Sequence, residues 1–272
     1  MIGPSGPEPK QSTTPVCEIL GSCATAPTAA GAASSYLVRS GSGHVLVDAG
    51  PGSLLAYLQA GHRLDELRGI VVTHLHADHC LDLMAWAYRW TFPRALASIP
   101  LFVPGEEVGR LGLFDSLFGI PTLPGMERPI FQAWEIQPLE LDGKTWIELD
   151  GLRFRAYAAH HSVPSAALRF ETDRGQVVAF SSDTGYCQGV VDAARDADVF
   201  VCEATYLDAD EESLVGHGHL TARLAGGLAT EARARQLVIT HLSDPAIGAQ
   251  AVTDAAETFR GPIHLAVPGM VL

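Results

Sequence analysis

Apolar residues along this chain fall into short runs bounded by Gly, Pro, Asp and Ser, and the period within each run separates strands from helices. Val16–Leu20, Ser35–Arg39, His44–Val47 and Gly69–Thr73 are β-branched or alternating runs too short for helices, and they predict strands. Ser40-Gly41-Ser42-Gly43 joins two of them into a hairpin. Trp146–Leu149 and Leu152–Ala158 flank Asp150-Gly151, a dipeptide that favours a tight hairpin turn. Ala167–Glu171, Val177–Ser181, Val199–Cys202, Leu237–Thr240 and Ile263–Val267 complete the predicted strands. Helical spacing predicts Ser53–Ala60, with Ser53 as cap and Gly61 as stop, then Leu81–Trp90, Glu106–Phe118 and Leu220–Ala232. Pro245–Phe259 is predicted helical with Asp244 as cap and Pro245 at the first position. Pro and Gly dominate Phe92–Leu139, which reads as a surface excursion around a single helix.

Strands joined by tight turns must be antiparallel, whereas strands joined by helices can be parallel. The pattern therefore predicts an α/β fold in which two mixed sheets pack together with helices outside. Met1–Pro15, rich in Pro, Gly, Ser and Thr, reads as a disordered tail, and residues 16–272 as one domain. With 272 residues and 47% hydrophobic positions the chain can bury a sizeable core.

Charge narrows the choice of partner. The formal net charge is −13, and the only lysines are Lys10 and Lys144. Such a chain repels phosphate backbones, so extended nucleic acid is not the expected partner and a small molecule is. No apolar run is long enough to span a bilayer. The cysteines Cys17, Cys23, Cys80, Cys187 and Cys202 show no paired spacing, which fits a reducing, cytoplasmic setting. A homodimer is the commonest assembly to expect.

The candidate chemistry sits where strands end. VVTHLHADHC places His74, His76, Asp78 and His79 directly after a β-branched run. Other predicted strands lead into His160-His161, Asp183, Glu203 and His241. One such residue is ordinarily a cap or a turn former. A set of them, together with the dense cluster, matches metal coordination by imidazole and carboxylate. The cluster holds too many ligands for one ion: His74 and His76 can serve one site, and Asp78 and His79 a second. Zinc is the first expectation for such a site, with Mn or Fe as alternatives set by supply. Asp48 and Asp82 can orient ligands or cap turns. His44, His62 and His264 read as structural or solvent-facing, and Cys80, Trp86, Tyr88 and Trp90 as core.

These residues, in this order, resemble the metallo-β-lactamase fold superfamily of dinuclear hydrolases. The resemblance rests on Asp48 after a strand, His74-Leu75-His76-Ala77-Asp78-His79, a later histidine, Ser182-Asp183-Thr184 and Thr240-His241. It implies an αββα sandwich with its site at one edge between the sheets. It also implies that His74, His76 and His161 hold one divalent ion, that Asp78, His79 and His241 hold the other, and that Asp183 bridges them. Within the superfamily the chain is most similar to the ribonuclease Z and phosphodiesterase branch, through His161-Ser162-Val163-Pro164 with Arg169-Phe170, Cys202-Glu203-Ala204-Thr205 and Gly218-His219-Leu220-Thr221-Ala222. That likeness implies that Glu203 and His219 form a proton-donating pair, with Asp78 beside a metal-bridging hydroxide. The branch usually has Gly before the bridging Asp, where this chain has Ser182, and no basic arm of the tRNA-clamping kind is seen.

The expected function is therefore a dinuclear metal-dependent hydrolase. A phosphodiesterase on small nucleotides such as cyclic nucleotides, or a ribonuclease Z-like nuclease, stands first. A lactone, thioester, aryl ester or sulfate ester hydrolase is the alternative. Adjacent strand residues face opposite sides, so only one of His160 and His161 can face the ions, and the spacing to Arg169 favours His161. His217 and His219 both lie in a Gly-flanked loop that can present either.

Overall fold

A computed structural model of the chain describes residues 16–209, 214 and 216–272, so the tail predicted for residues 1–15 lies outside the described part. Its strands are β1 (Cys17–Cys23), β2 (Ala32–Ala33), β3 (Ser35–Arg39), β4 (His44–Val47), β5 (Leu67–Val71), β6 (Ile99–Pro104) and β7 (Trp134–Leu139), followed by β8 (Ile147–Leu149), β9 (Leu152–Ala158), β10 (Ala166–Thr172), β11 (Val177–Phe180), β12 (Val199–Glu203), β13 (Leu237–Thr240) and β14 (Ile263–Leu265). They form two seven-stranded sheets, ordered β2-β1-β3-β4-β5-β6-β7 and β14-β13-β12-β11-β10-β9-β8. In the first sheet β2 pairs parallel to β1, while β1, β3 and β4 are antiparallel, and β4 to β7 are parallel strands joined through helices. In the second, β8 to β11 are antiparallel and β11 to β14 parallel.

The two-residue period of the strands sorts their side chains into layers. On β3 and β4, Tyr36, Val38, Val45 and Val47 point between the sheets, while Leu37 and Leu46 point outward. On β12 and β13, Val199, Val201 and Val238 face inward, while Phe200, Cys202, Leu237 and Ile239 face outward. Both faces are covered, which is why these strands read as continuous apolar runs. Phe102, Phe154, Phe170 and Phe180 interlock at the inter-sheet seam, with Phe154 and Phe170 stacked at 5.1 Å between centroids. Outside the first sheet lie α1 (Ser53–Gln59), α2 (Ala77–Cys80), α3 (Leu83–Thr91), α4 (Leu111–Phe118) and α5 (Pro129–Ala133). Outside the second lie α6 (Gln188–Ala194), α7 (Ala222–Glu231) and α8 (Gly248–Ala255). The expected four-layer α/β sandwich is the observed fold.

Local readings hold where turn chemistry is explicit. Asp150 and Gly151 both have positive φ, as the tight turn between β8 and β9 requires. Three expectations need correcting. Phe92–Leu139 is not a surface excursion: it contributes β6 and β7 to the first sheet and buries Leu101, Val103, Ile130 and Trp134. Its flanking prolines disguise Ile99–Pro104 as a loop, although proline is tolerated where the run starts and stops. The helix predicted from Glu106 is a 3-10 turn over Gly105–Arg110 before α4. Ser53 does not cap α1, which starts after Gly52; its hydroxyl donates to Asp82 at 3.2 Å and accepts from Trp86 Nε1 at 2.9 Å.

Candidate metal centre

The carboxyl ends of β4, β5, β11, β12 and β13 converge at one edge of the sandwich, the place where layered α/β proteins build sites. Asp48 follows β4. The cluster follows β5 and runs straight into α2, so His74 and His76 lie on an extended turn, while Asp78 and His79 lie in the first turn of the helix. Asp183 follows β11, Glu203 ends β12 and His241 follows β13. Ser182 and His241 have positive φ, as does Asp48, so several of these strand ends are sharply turned toward the site.

The structure brings together two overlapping groups. One ligand atom each from His74, His76, His161 and Asp183 lie within 4.8 Å of one another, and so do those of Asp78, His79, Asp183 and His241. Asp183 belongs to both. It reaches His79 Nε2 at 3.2 Å through Oδ1 and His74 Nε2 at 3.7 Å through Oδ2. Of the paired alternatives, His161 lies in the site and His160 is exposed at its margin. His219 likewise points in, while His217 is exposed.

Hydrogen-bond partners define which nitrogen of each imidazole is free. His161 Nδ1 meets the Gly218 carbonyl at 2.9 Å, and a carbonyl can only accept, so the proton is on Nδ1. His79 Nδ1 meets the Asp48 carboxylate at 2.7 Å with the same consequence. His241 Nδ1 lies 3.1 Å from Thr205 Oγ1, whose own proton goes to Glu203 at 2.7 Å, so the threonine accepts. His74 Nδ1 faces Thr73 Oγ1 at 3.2 Å and Ser182 Oγ at 3.4 Å. Thr73 Oγ1 spends its proton on Asp48, and Ser182 Oγ spends its proton on Ser165 Oγ, which in turn donates to the Asp183 carbonyl. All four rings thus carry the proton at Nδ1 and present the Nε2 lone pair inward. This is the outer support that metal-bound histidines use. His74 Nε2 is fully buried without a hydrogen-bond partner, as a nitrogen reserved for a cation would be. His79 Nε2 and His241 Nε2 face each other at 3.2 Å, and His76 Nδ1 faces His161 Nε2 at 3.0 Å.

Charge points the same way. Asp48, Asp78 and Asp183 are buried together. Burial pushes the Asp183 carboxyl up, but His241, His79 and His74 outweigh it and hold the group well below the usual carboxylate range. Burial likewise pushes His79 down, yet the charges of Asp183 and Asp48 raise it well above its ordinary value. Burial, reinforced by His79, holds His74 well below its ordinary value. The buried carboxylates thus call for positive charge at the point where the Nε2 lone pairs converge. The donor set therefore fits divalent metal ions.

Glu203 stands apart. His219, Glu203 and His241 also come within 4.8 Å of one another, but the Glu203 carboxylate already accepts from Thr184 N, Thr205 N, Thr205 Oγ1, Leu220 N and His219 Nδ1. Its lone pairs are used, so it orients His219 rather than holding an ion. Burial lowers the His219 pKa, while the hydrogen bond and charge of Glu203, helped by Asp183 and Asp78, more than reverse it and leave the imidazole raised. Asp48 and Asp82 divide the two roles open to them: Asp48 supports His79 and Thr73, while Asp82 accepts from Leu54 N at 2.9 Å and caps α1. Thr73 and Ser165 are hydrogen-bonding supports that reading the sequence missed, because a lone hydroxyl leaves no motif. Thr205 and Gly218 sit in the quoted motifs, but their bonds to His241 and His161 were not read there.

With this architecture in view, the comparisons with known proteins are specific. The profile of the β-lactamase superfamily domain matches residues 44–242. The chain belongs to that superfamily and is a hydrolase of the metallo-β-lactamase fold. It is 31% identical over 257 residues to a ribonuclease Z from Streptomyces coelicolor, covering 83% of this chain and 85% of that protein. The fold matches the metallo-β-lactamase fold protein YhfI from Bacillus subtilis with a TM-score of 0.80 at 22% identity, over 94% of this chain and 97% of that one. It matches human tRNase Z, short form, with a TM-score of 0.74 at 20% identity, over 94% and 98% of the two chains. Among the described residues, no helix is long and apolar enough to cross a membrane.

Proposed function

We propose that this protein is a dinuclear phosphodiesterase acting on small nucleotides, cyclic nucleotides first among them. In this reading His74, His76 and His161 hold one ion, Asp78, His79 and His241 hold the other, Asp183 lies between them, and zinc is the metal expected. Bound there, two divalent cations supply an acidified water as nucleophile and offset the charge that grows on the phosphoryl oxygens. Asp78 Oδ2 is tied to Thr25 N at 2.7 Å, which leaves Oδ1 to orient the attacking water or take its proton.

The observation that carries the reading is the Glu203–His219 pair. Glu203 Oε1 holds His219 Nδ1 at 2.9 Å, and the His219 ring lies 5.0 Å from His161 and 6.0 Å from His241. An imidazole whose pKa is raised by a buried carboxylate on its Nδ1 is suited to donating a proton to a leaving oxygen. A ribose alkoxide needs that proton, whereas a thiolate or phenolate does not. Hence the pair favours a phosphodiester over a thioester or aryl ester. The name of the Streptomyces relative points to RNA, but the net charge of −13 and the surface pairing of arginines, as in Arg63–Asp65, Arg153–Glu171 and Arg233–Asp196, favour a compact substrate.

The test compares a cyclic nucleotide with bis(p-nitrophenyl) phosphate in metal-loaded protein. His219→Ala is expected to cost about 10²–10⁴-fold in kcat on the cyclic nucleotide. It should cost far less on the nitrophenyl ester, whose phenolate leaves unaided. Equal losses on both would remove the proton-donor role. No turnover of either, by protein shown to carry its ions, would sink the phosphodiesterase reading and turn attention to lactones and sulfate esters. Faster cleavage of an RNA oligonucleotide than of the cyclic nucleotide would make the protein a nuclease.

A further inference from the structure

We propose that the chain carries a separate site for one divalent transition-metal ion, of the zinc class, formed by His44, His62 and Glu66. His44 opens β4, and Asp48 follows the other end of that strand. At about 3.3 Å per residue the site lies roughly 13 Å from Asp48. His44 shares the outward face of β4 with Leu46, under α1. Beyond α1, Gly61 at φ 88° turns the chain and brings His62 back over Tyr57, with ring centroids 5.0 Å apart. Arg63 then leads a 3-10 turn over Leu64–Glu66 that returns Glu66 to the same place.

Three observations point to a ligand there. One donor atom each from His44, His62 and Glu66 lie within 4.8 Å of one another. His44 is only 8% exposed, and its ring makes contacts with Tyr57 and His62 but no hydrogen bond among the described residues. His62 Nε2 is held by Glu18 Oε2 at 2.9 Å, the carboxylate-on-imidazole arrangement that supports metal-bound histidines. Packing against Tyr57 accounts for the position of the His44 ring, and a hydrogen bond from Arg63 N at 2.8 Å fixes Glu66 Oε2, but neither accounts for the second imidazole converging with them. Two imidazoles and one carboxylate suit zinc-like ions rather than calcium or magnesium. Of the nearby arginines, Arg63 is turned to Asp65 and Arg68 to Asp150 and the Asp65 carbonyl. The positive charges of Arg39 and Arg68 still reach His44, so the ion must be held by the Glu66 carboxylate and both imidazoles together. An ion here would fasten the α1–β5 connection to the start of β4.

The measurement is zinc content per chain after loading with Zn²⁺ and removal of excess, for folded wild type, His44→Gln and His62→Gln. Wild type is expected to hold one equivalent more than either variant. Equal zinc in all three would overturn the site, and so would a loss of more than one equivalent in a variant that keeps its fold. Glu66→Gln, at a residue less buried than His44, repeats the count should either histidine variant fail to fold. The same single-equivalent difference is expected, and an unchanged count would overturn the proposal.

Discussion

The loop from His74 to His79 and the strand ends from His161 to His241 assemble the same centre by opposite means. The loop places four potential ligands within six residues, so their spacing is set by local backbone and one buried carboxylate, Asp48. The second sheet offers one ligand at a time, from the β9–β10 turn, from the end of β11 and from beyond β13. Those side chains meet only because parallel pairing puts Phe180 opposite Val201 and Glu203 opposite Thr240, and because the two sheets pack in one orientation. The loop is thus a local device with local support, whereas the strand ends depend on register and on the inter-sheet seam.

That contrast can be broken at the seam first. Phe154→Ala, in the inter-sheet aromatic cluster, is expected to cost about 3–5 kcal/mol of stability. Chemical denaturation would measure it. Metal affinity should fall with it, since the strand ends lose their alignment with the loop; unchanged affinity would show that the loop alone retains the ions.

Next come the supports. Asp48→Asn, behind the loop, is expected to weaken metal retention by about 10–100-fold. Thr205→Val, behind His241, removes the acceptor at Nδ1 and a donor to Glu203, and should fall at the lower end of that range. Competition with a chelator separates the two. A larger loss in Thr205→Val would mean that the strand-end side is the weaker half of the centre.

The smallest effect concerns pH and lies away from both regions. Burial, followed by His62 and Arg39, lowers the His44 pKa to about 4. A histidine neutral in the fold but protonated when unfolded contributes stability that is full above its unfolded pKa of about 6.5 and is lost as pH falls toward 4. In metal-free protein this should be on the order of 1 kcal/mol, since the ring retains some solvent contact. Thermal melts between those limits should show a smaller drop in His44→Gln than in wild type. An identical drop would assign the acid sensitivity to the aspartates and histidines of the main centre.

Reading the chain alone went furthest where physics is local. The hairpin Ser35–Arg39 with His44–Val47 and the Asp150-Gly151 turn depend on neighbouring residues only and are found as expected. Asp244 caps as expected, although what it caps is a 3-10 turn over Pro245–Ile247 ahead of the helix Gly248–Ala255 and not one helix to Phe259. The segment 92–139 failed because prolines at the ends of β6 imitate a loop, and only pairing with β5 and β7 reveals a strand. The histidine-rich loop was legible as a ligand cluster for the same reason that the hairpins were.

By itself, then, the sequence determined the chemistry on offer: the imidazoles and carboxylates, their place at strand ends, and an acidic surface. Only the tertiary structure decided how they are used. It separated His161 from His160 and His219 from His217, gave Asp48 to His79 and Asp82 to a helix end, and saturated Glu203 with donors so that it steers a histidine instead of binding an ion. It also drew His44, His62 and Glu66 together. The reason is physical. A residue's chemical capacity is carried by its own atoms, but its role is set by which groups fill its remaining hydrogen-bond positions, and in this chain those groups come from strands far apart in sequence.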